Sequence, residues 1–155
     1  MNQLAAEMGM GNTHFVTPDG YHDAKHVVTF QAMMIIAKCA LENETIRTIC
    51  EKTQYTIQYT GASGRVWTRT LTNSNLLLHP TLQNADDQTV SNPYYIEAAV
   101  GLKTGTTNAA GRCLIAAFEY EGSYVIIGIF GCPTDESRYV DTIALWNYYL
   151  ALRNA

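Results

Sequence analysis

The sequence predicts an α/β protein in which an antiparallel sheet carries helices on both faces. Two observations predict the sheet. Residues 112–120 and 124–132 are apolar at nearly every position, reading Cys-Leu-Ile-Ala-Ala-Phe and then Val-Ile-Ile-Gly-Ile-Phe. Strands that lack polar alternation are buried on both faces, so helices must cover each side. Only a short link containing Glu121-Gly122 joins them, which fits a two-residue hairpin and hence antiparallel pairing. The third observation is that segments of helical period stand both before and after these strands. A chain of 155 residues with 47% hydrophobic and 15% charged residues is one domain's worth, able to bury a core and unlike a disordered segment.

The elements follow in order. Met1, Leu4, Ala5 and Met8 recur at helical spacing, and Gly9 and Gly11 end that helix. Residues 12–20 read as a loop whose Thr17-Pro18-Asp19-Gly20 has proline and glycine where a turn needs them. Thr29 is suited to cap a second helix over residues 30–41, with Met33, Met34, Ile36, Ala37 and Leu41 apolar. Glu44 to Cys50 suggests a short third helix. The period then changes to two. Tyr55, Ile57 and Tyr59 alternate with Thr56 and Gln58, and Trp67, Arg69 and Leu71 continue the pattern after Gly61-Ala62-Ser63-Gly64. That is a half-exposed hairpin. Residues 80–93 are polar and aperiodic, hence a long surface loop. Residues 99–104 form the first strand of the main sheet. A final helix is capped by Thr134 or Asp135, with Val140, Ile143, Trp146 and Leu150 as its apolar stripe.

Composition excludes some functions. A net charge of -4 provides no basic field for nucleic acid or anionic lipid. The longest apolar stretch, residues 124–130, is strand-sized and too short to span a bilayer. Met1-Asn2-Gln3-Leu4-Ala5-Ala6 has neither the basic end nor the apolar run of a signal peptide. Cys39, Cys50, Cys113 and Cys132 form no Cys-x-x-Cys pair and no zinc spacing, so they read as small thiols in the fold. With a turn at Glu121-Gly122, Cys113 would face Phe130 and lie diagonal to Cys132, too far for an easy disulfide. His22 and His26 have helical spacing but no further ligand nearby, so no metal is expected. Asn43-Glu44-Thr45 is a glycosylation sequon without a secretory context. The pairs Tyr94-Tyr95 and Tyr148-Tyr149 read as packing residues, with sugar stacking a minor option.

The segment that carries chemistry is Gly101-Leu102-Lys103-Thr104-Gly105-Thr106-Thr107. Lys103, Thr104 and Gly105 set an ammonium, a hydroxyl and bare backbone side by side at a strand end. Such a set can hold a carboxylate, and Gly105 lets a ligand lie against the strand. The plainer reading is a strand end with a surface lysine. A phosphate loop is excluded, because its glycine precedes the lysine and here Gly105 follows it. No cofactor motif is present.

Four separated segments together decide the context. Met1-Asn2, Ala5 and Met8-Gly9-Met10-Gly11-Asn12-Thr13-His14-Phe15, followed by Pro18-Asp19-Gly20, His26 and Thr29, form the first. Thr72-Asn73-Ser74-Asn75-Leu76-Leu77 is the second. Val100-Gly101-Leu102-Lys103-Thr104-Gly105-Thr106-Thr107 with Ala110-Gly111-Arg112-Cys113-Leu114 is the third, and Arg138 at the head of the final helix is the fourth. In order and spacing they resemble the serine-type D-alanyl-D-alanine carboxypeptidases, the low-molecular-weight penicillin-binding proteins. The resemblance covers nearly the whole chain.

The resemblance implies a β-lactamase/transpeptidase-like fold and an acyl-enzyme mechanism. In that family a serine, activated by a lysine three residues on, attacks the peptide bond between two D-alanines of a peptidoglycan stem peptide, and penicillins trap the same serine. By matching motif, Lys103 would set the site's electrostatics and assist proton transfer. Thr104 and Arg138 would hold the substrate's terminal carboxylate beside Gly105, and the Thr106 N–H would donate to the oxyanion. Thr106 departs from the aromatic residue or histidine frequent in relatives, which leaves substrate preference open. Arg138 also has a plainer reading as a solvated arginine in a first helical turn, a place the helix dipole disfavours.

The family also needs Ser-x-x-Lys and Ser-x-Asn. None of Ser63, Ser74, Ser91, Ser123 and Ser137 has lysine three residues on or asparagine two residues on. Residues 1–155 are therefore expected to be the C-terminal part of the domain, inactive alone, with β-lactams bound only when the nucleophile-bearing half is present. Residues 124–132 are expected to expose an unpaired edge that self-associates or pairs with that half. The family implies a cell-envelope, extracytoplasmic location for the full protein. Two alternatives are a class A-type β-lactamase relative and a non-catalytic half-domain that docks a partner.

Overall fold

The computed structural model describes all residues from Met1 to Ala155. Its centre is a three-stranded antiparallel sheet of β5 (Ala99–Thr107), β6 (Gly111–Tyr120) and β7 (Ser123–Cys132), with β6 in the middle. Glu121 and Gly122 both take positive φ, 50° and 71°. That is the backbone of a two-residue hairpin turn matched to strand twist.

β6 explains why both faces are covered. Leu114, Ala116 and Phe118 are fully buried on one face, with Leu77, Ile127, Tyr139 and Trp146. Ile115 and Ala117 project the other way and pack with Ala37, Leu41 and Leu102. The first face is closed by α4 (Asp135–Arg153), where the Phe118 and Trp146 rings stack with centroids 4.4 Å apart. The second is closed by α2 (Phe30–Glu42) and α3 (Glu44–Cys50). The predicted helix–sheet–helix layering is present.

Local chemistry sets the boundaries. Thr29 accepts a hydrogen bond from the Ala32 N–H at the head of α2. Asn43 ends that helix and caps α3 through the Ile46 N–H. Thr134 opens α4 in a reciprocal capping box with Ser137. Gly101 has φ 137°, and a Cβ there would stand 3.0 Å from Cys50 Cβ. Only glycine lets α3 seat this closely on β5.

Several expectations are corrected. Residues 80–93 are not a structureless loop, because β3 (Thr81–Gln83) and β4 (Thr89–Ser91) pair as a small hairpin. It is tied down by Asn92, whose side-chain amide donates to the carbonyls of Leu76 and His79. β5 runs three residues further than predicted, to Thr107. β7 is buried at Ile127 and Cys132 but is not covered on both faces along its length. Its other long edge lacks a strand partner, so nothing there completes the burial. Val140 points outward from α4. The inward positions are Arg138, Tyr139, Thr142 and Trp146, with Ile143 and Leu150 half-buried beside them. A register shift between Arg112 and Leu114 sets Cys132 opposite Arg112. All four cysteines are free thiols.

The hairpin of β1 (Gln54–Thr60) and β2 (Val66–Thr72) forms as predicted but is more exposed than expected. Every residue except Ile57 is open to solvent. It pairs with no other strand and stands out from the layered core. α1 (Asn2–Glu7) contributes Ala5 to a small third cluster with Met10 and Ala32. No helix is long and apolar enough to cross a membrane.

Candidate functional site

β5 is an edge strand, so one row of its backbone groups faces away from β6 and is free to pair with an extended ligand. Along it Lys103 is exposed, Thr104 is buried, and Gly105 and Thr106 are exposed. The only neighbour a Gly105 side chain would meet is Cys113 Cβ at 3.8 Å. The Lys103 ammonium folds back to donate to the Thr104 carbonyl.

Thr104 faces the α4 side, where its hydroxyl lies 2.6 Å from that of Ser74. Ser74 is held from both directions. The Tyr139 hydroxyl donates to its carbonyl at 3.0 Å. The preceding Asn73 side chain donates to the carbonyls of Cys50 and Lys52 at 3.1 and 3.0 Å. The Asn73 carbonyl is 2.7 Å from His79 Nε2, and Asn75 caps the 3-10 turn Leu76–Leu78. The asparagine-rich stretch is thus a clamp, fixing the end of β2 against the middle of β5.

α4 brings Arg138 to the same strand. Its residue is 7% exposed. Nη2 lies 2.9 Å from Asp135 Oδ1, and Nη1 donates to Thr106 Oγ1 at 3.3 Å. The guanidinium stands 5.0 Å from the Tyr139 ring, and Nε has no partner. Asp135 is half-shared, with Arg112 Nε at 3.8 Å on its other side. A guanidinium held beside an edge strand by an exposed counter-ion is suited to take up an added carboxylate through its terminal nitrogens.

Cys50 lies behind the strand. Burial pushes its thiol above the ordinary range, the Glu51 charge pushes it further, and the Lys103 ammonium pulls it back. The ammonium's field therefore reaches the α3 side of β5 as well as the solvent side. His26 is engaged in the N-terminal loop, with Nδ1 accepting from the Val16 N–H and its ring edge-on to Phe15 at 5.5 Å.

The structure brings Thr104, Thr106 and Arg138 into one cluster on the α4 side, with Lys103 and Gly105 on the same strand. Ser74, Asp135 and Tyr139 belong to it as well, and sequence reasoning gave none of them a role in the site. Ser74 was within the asparagine-rich segment already singled out, but nothing in its spacing announces a partner 30 residues on.

A sheet with helices on both faces and a Lys-Thr-Gly edge strand is the architecture of the DD-peptidases. The chain superposes on the crystal structure of the Streptomyces K15 DD-transpeptidase with a TM-score of 0.81 at 28% identity, over 97% of this chain and 52% of that one. A penicillin-binding protein of Listeria monocytogenes in a cefotaxime-bound form matches with a TM-score of 0.69 at 25% identity, over 94% and 51%. Among curated proteins, the D-alanyl-D-alanine carboxypeptidase of Streptomyces sp. (strain K15) is 29% identical over 153 residues, which is 98% of this chain and 47% of the relative. A Bacillus subtilis (strain 168) D-alanyl-D-alanine carboxypeptidase is 28% identical over 143 residues, 89% of this chain and 31% of that protein. The family model for D-alanyl-D-alanine carboxypeptidases matches residues 1–134, and the chain belongs to that family. It spans about half the length, or less, of these relatives.

Proposed function

We propose that residues 1–155 form the C-terminal, carboxylate-recognising part of a serine-type D-alanyl-D-alanine carboxypeptidase domain that trims peptidoglycan stem peptides outside the cytoplasmic membrane. The acylating serine and its lysine are assigned to residues outside these 155, because no serine here has either family spacing. The stem peptide lies along the free edge of β5. Arg138 and Thr104 receive its terminal carboxylate, the Thr106 N–H donates to the oxyanion, and Lys103 supplies positive charge beside the reacting carbonyl.

The observation that carries this reading is Arg138. It is withdrawn from solvent at the head of a helix, where the dipole disfavours a cation, yet it keeps Nε unpartnered and touches Thr106 across the site. Asp135 and Thr106 hold its two terminal nitrogens beside β5, so a carboxylate seated on that strand would meet a guanidinium already fixed in place.

Two exposed surfaces support a docking half. One long edge of β7 has no strand partner, and Val140, Leu145, Tyr148 and Leu152 on α4 are 45–63% exposed. The nucleophile-bearing segment is assigned to this side, with pairing between two copies of the chain as the substitute when it is absent.

Intact mass after incubation with a fluorescent penicillin tests the proposal. The 155-residue chain should stay unmodified, whereas the same chain extended by its upstream coding sequence should gain one penicillin. In the extended protein Arg138→Ala should slow acylation about 10- to 100-fold, the worth of a charge-assisted hydrogen bond. A penicillin adduct on the 155-residue chain, or full-rate acylation of the Arg138→Ala protein, would refute the assignment.

A further inference from the structure

The β1–β2 hairpin does nothing for the core, yet its composition is far from random. The register pairs Tyr55 with Leu71, Ile57 with Arg69, and Tyr59 with Trp67, so one face carries three aromatic rings, two aliphatic side chains and an arginine. The opposite face pairs Thr56 with Thr70 and Gln58 with Thr68. A strand pair with a polar face and an aromatic face normally buries the second against a core. Here Tyr55, Tyr59, Trp67 and Leu71 remain 41–57% exposed. Large rings left open in a row mark a surface that binds something.

Three features say what. First, the hairpin is cationic in an acidic chain: Lys52, Arg65 and Arg69 are its charges, and no Asp or Glu occurs between Lys52 and Ala85. The ligand is therefore anionic. Second, the rings are pre-set. The Arg65 guanidinium stands 4.4 Å from the Trp67 ring, Lys52 Nζ is 6.0 Å from the Tyr55 ring, and Gly61 leaves no room for a side chain beside the indole, 3.0 Å away. Flat, pre-oriented rings suit pyranose sugars, whose C–H faces sit on the electron-rich ring surface. Third, the face is continuous with the site. β2 ends at Thr72, Asn73 clamps its exit, and Ser74 touches Thr104. From Tyr55 to Tyr59 the face runs about 13 Å, long enough to lie under several rings.

We infer that the aromatic face of the β1–β2 hairpin is a subsite for the glycan strand to which the stem peptide is attached, a chain of amino sugars whose lactyl carboxylates are free wherever no peptide is joined to them. This deepens the carboxypeptidase reading and rests on it. The sugars stack on Tyr55, Tyr59 and Trp67, and Arg69 with Lys52 meets the free carboxylates of neighbouring sugars that carry no peptide. The peptide leaves the strand at the base of the hairpin, where the Asn73–Ser74 clamp leads to β5. Substrate is thereby recognised as polymer, and a free peptide forgoes these contacts.

Cosedimentation of the 155-residue chain with purified peptidoglycan sacculi tests the inference. Parallel titrations use glycan strands stripped of peptide, a D-Ala-D-Ala-terminated pentapeptide, and phosphatidylglycerol vesicles. Binding to sacculi and to stripped glycan is expected. The Tyr59→Thr, Trp67→Thr double variant should weaken both about tenfold, as loss of two central aromatic contacts does. Threonine keeps the strand, and no core packing depends on either ring, so circular dichroism should be unchanged. Arg69→Gln should weaken binding without touching the rings, giving a second route to the same answer. Wild-type chain that ignores stripped glycan, double-variant binding equal to wild type, or preference for the vesicles would each overturn it. Glycan binding retained alongside failed penicillin acylation of the extended protein would overturn the enzymatic reading and leave the subsite standing.

Discussion

Arg138 and Cys50 occupy opposite sides of β5, and between them they fix how the Lys103 strand is charged and held. Arg138 was legible as a candidate from the family resemblance, and its place at a helix N-terminus, where a cation opposes local electrostatics, weighed against the plainer reading. Its contact with Thr106 was not, because a helix register says nothing about the strand it will cross. The Lys103–Gly105 tripeptide was legible only as a set able to hold a carboxylate, and the resemblance of the surrounding segments, not residue types alone, raised it above a plain strand end. The Ser74–Thr104 contact was not, since it depends on where the hairpin's exit is pinned by Asn73. Cys50 carries the pH prediction. Its folded thiol holds its proton above the pH at which the unfolded thiol, with an ordinary value of 9.0, releases it. Its contribution to stability is complete below that value and fades as the pH rises through it toward the raised folded value. Urea midpoints should fall as the pH passes 9.0, and Cys50→Ala should flatten that slope. An unchanged slope in the variant would remove Cys50 as its source.

Among the elements, those with strong periodicity were read correctly: α2, α3, α4 and the two apolar strands all lie where their patterns put them. The errors share a cause. Periodicity assumes that an apolar residue is fully covered, whereas Val140 is exposed and Val125, Ile126 and Ile129 of β7 are packed on one side only and stay half-buried. The β3–β4 hairpin was missed because each strand has three residues, too few to display a period, and its anchor is the side chain of Asn92 rather than a hydrophobic face. The unpaired edge of β7 carries its own prediction. Placing lysines along it through Tyr124→Lys and Phe130→Lys, both exposed in the single chain, should shift sedimentation equilibrium toward monomer. An identical association constant would show that copies meet elsewhere.

At the scale of the whole molecule, 23 of 155 residues are buried, a thin core divided among three clusters. Stability must then concentrate in the few places where packing is complete. The Phe118–Trp146 stack is the foremost of these, and Phe118→Ala should cost about 3–5 kcal/mol, enough to unfold a marginal chain. Thermal denaturation by circular dichroism would read it, and a loss below ~1 kcal/mol would mean that the α4 layer contributes little to folding. The general layering was legible because unalternated strands demand cover on both sides. The thinness of that cover was not, because an unalternated strand announces burial without saying how much of each face is covered.

The central position of β6 has one more consequence. It alone in the main sheet has a strand on each side, while β5 and β7 each give half of their amides to solvent. In deuterated water the chain should therefore keep its own record of occupancy. β6 protons should be replaced last at every stage, and the flanking strands should show slow and fast amides in alternation. A substrate seated on β5 would erase the alternation there, while a segment docked on β7 would erase it on the other side. The two events would be distinguishable in the same spectrum, without any label on either partner.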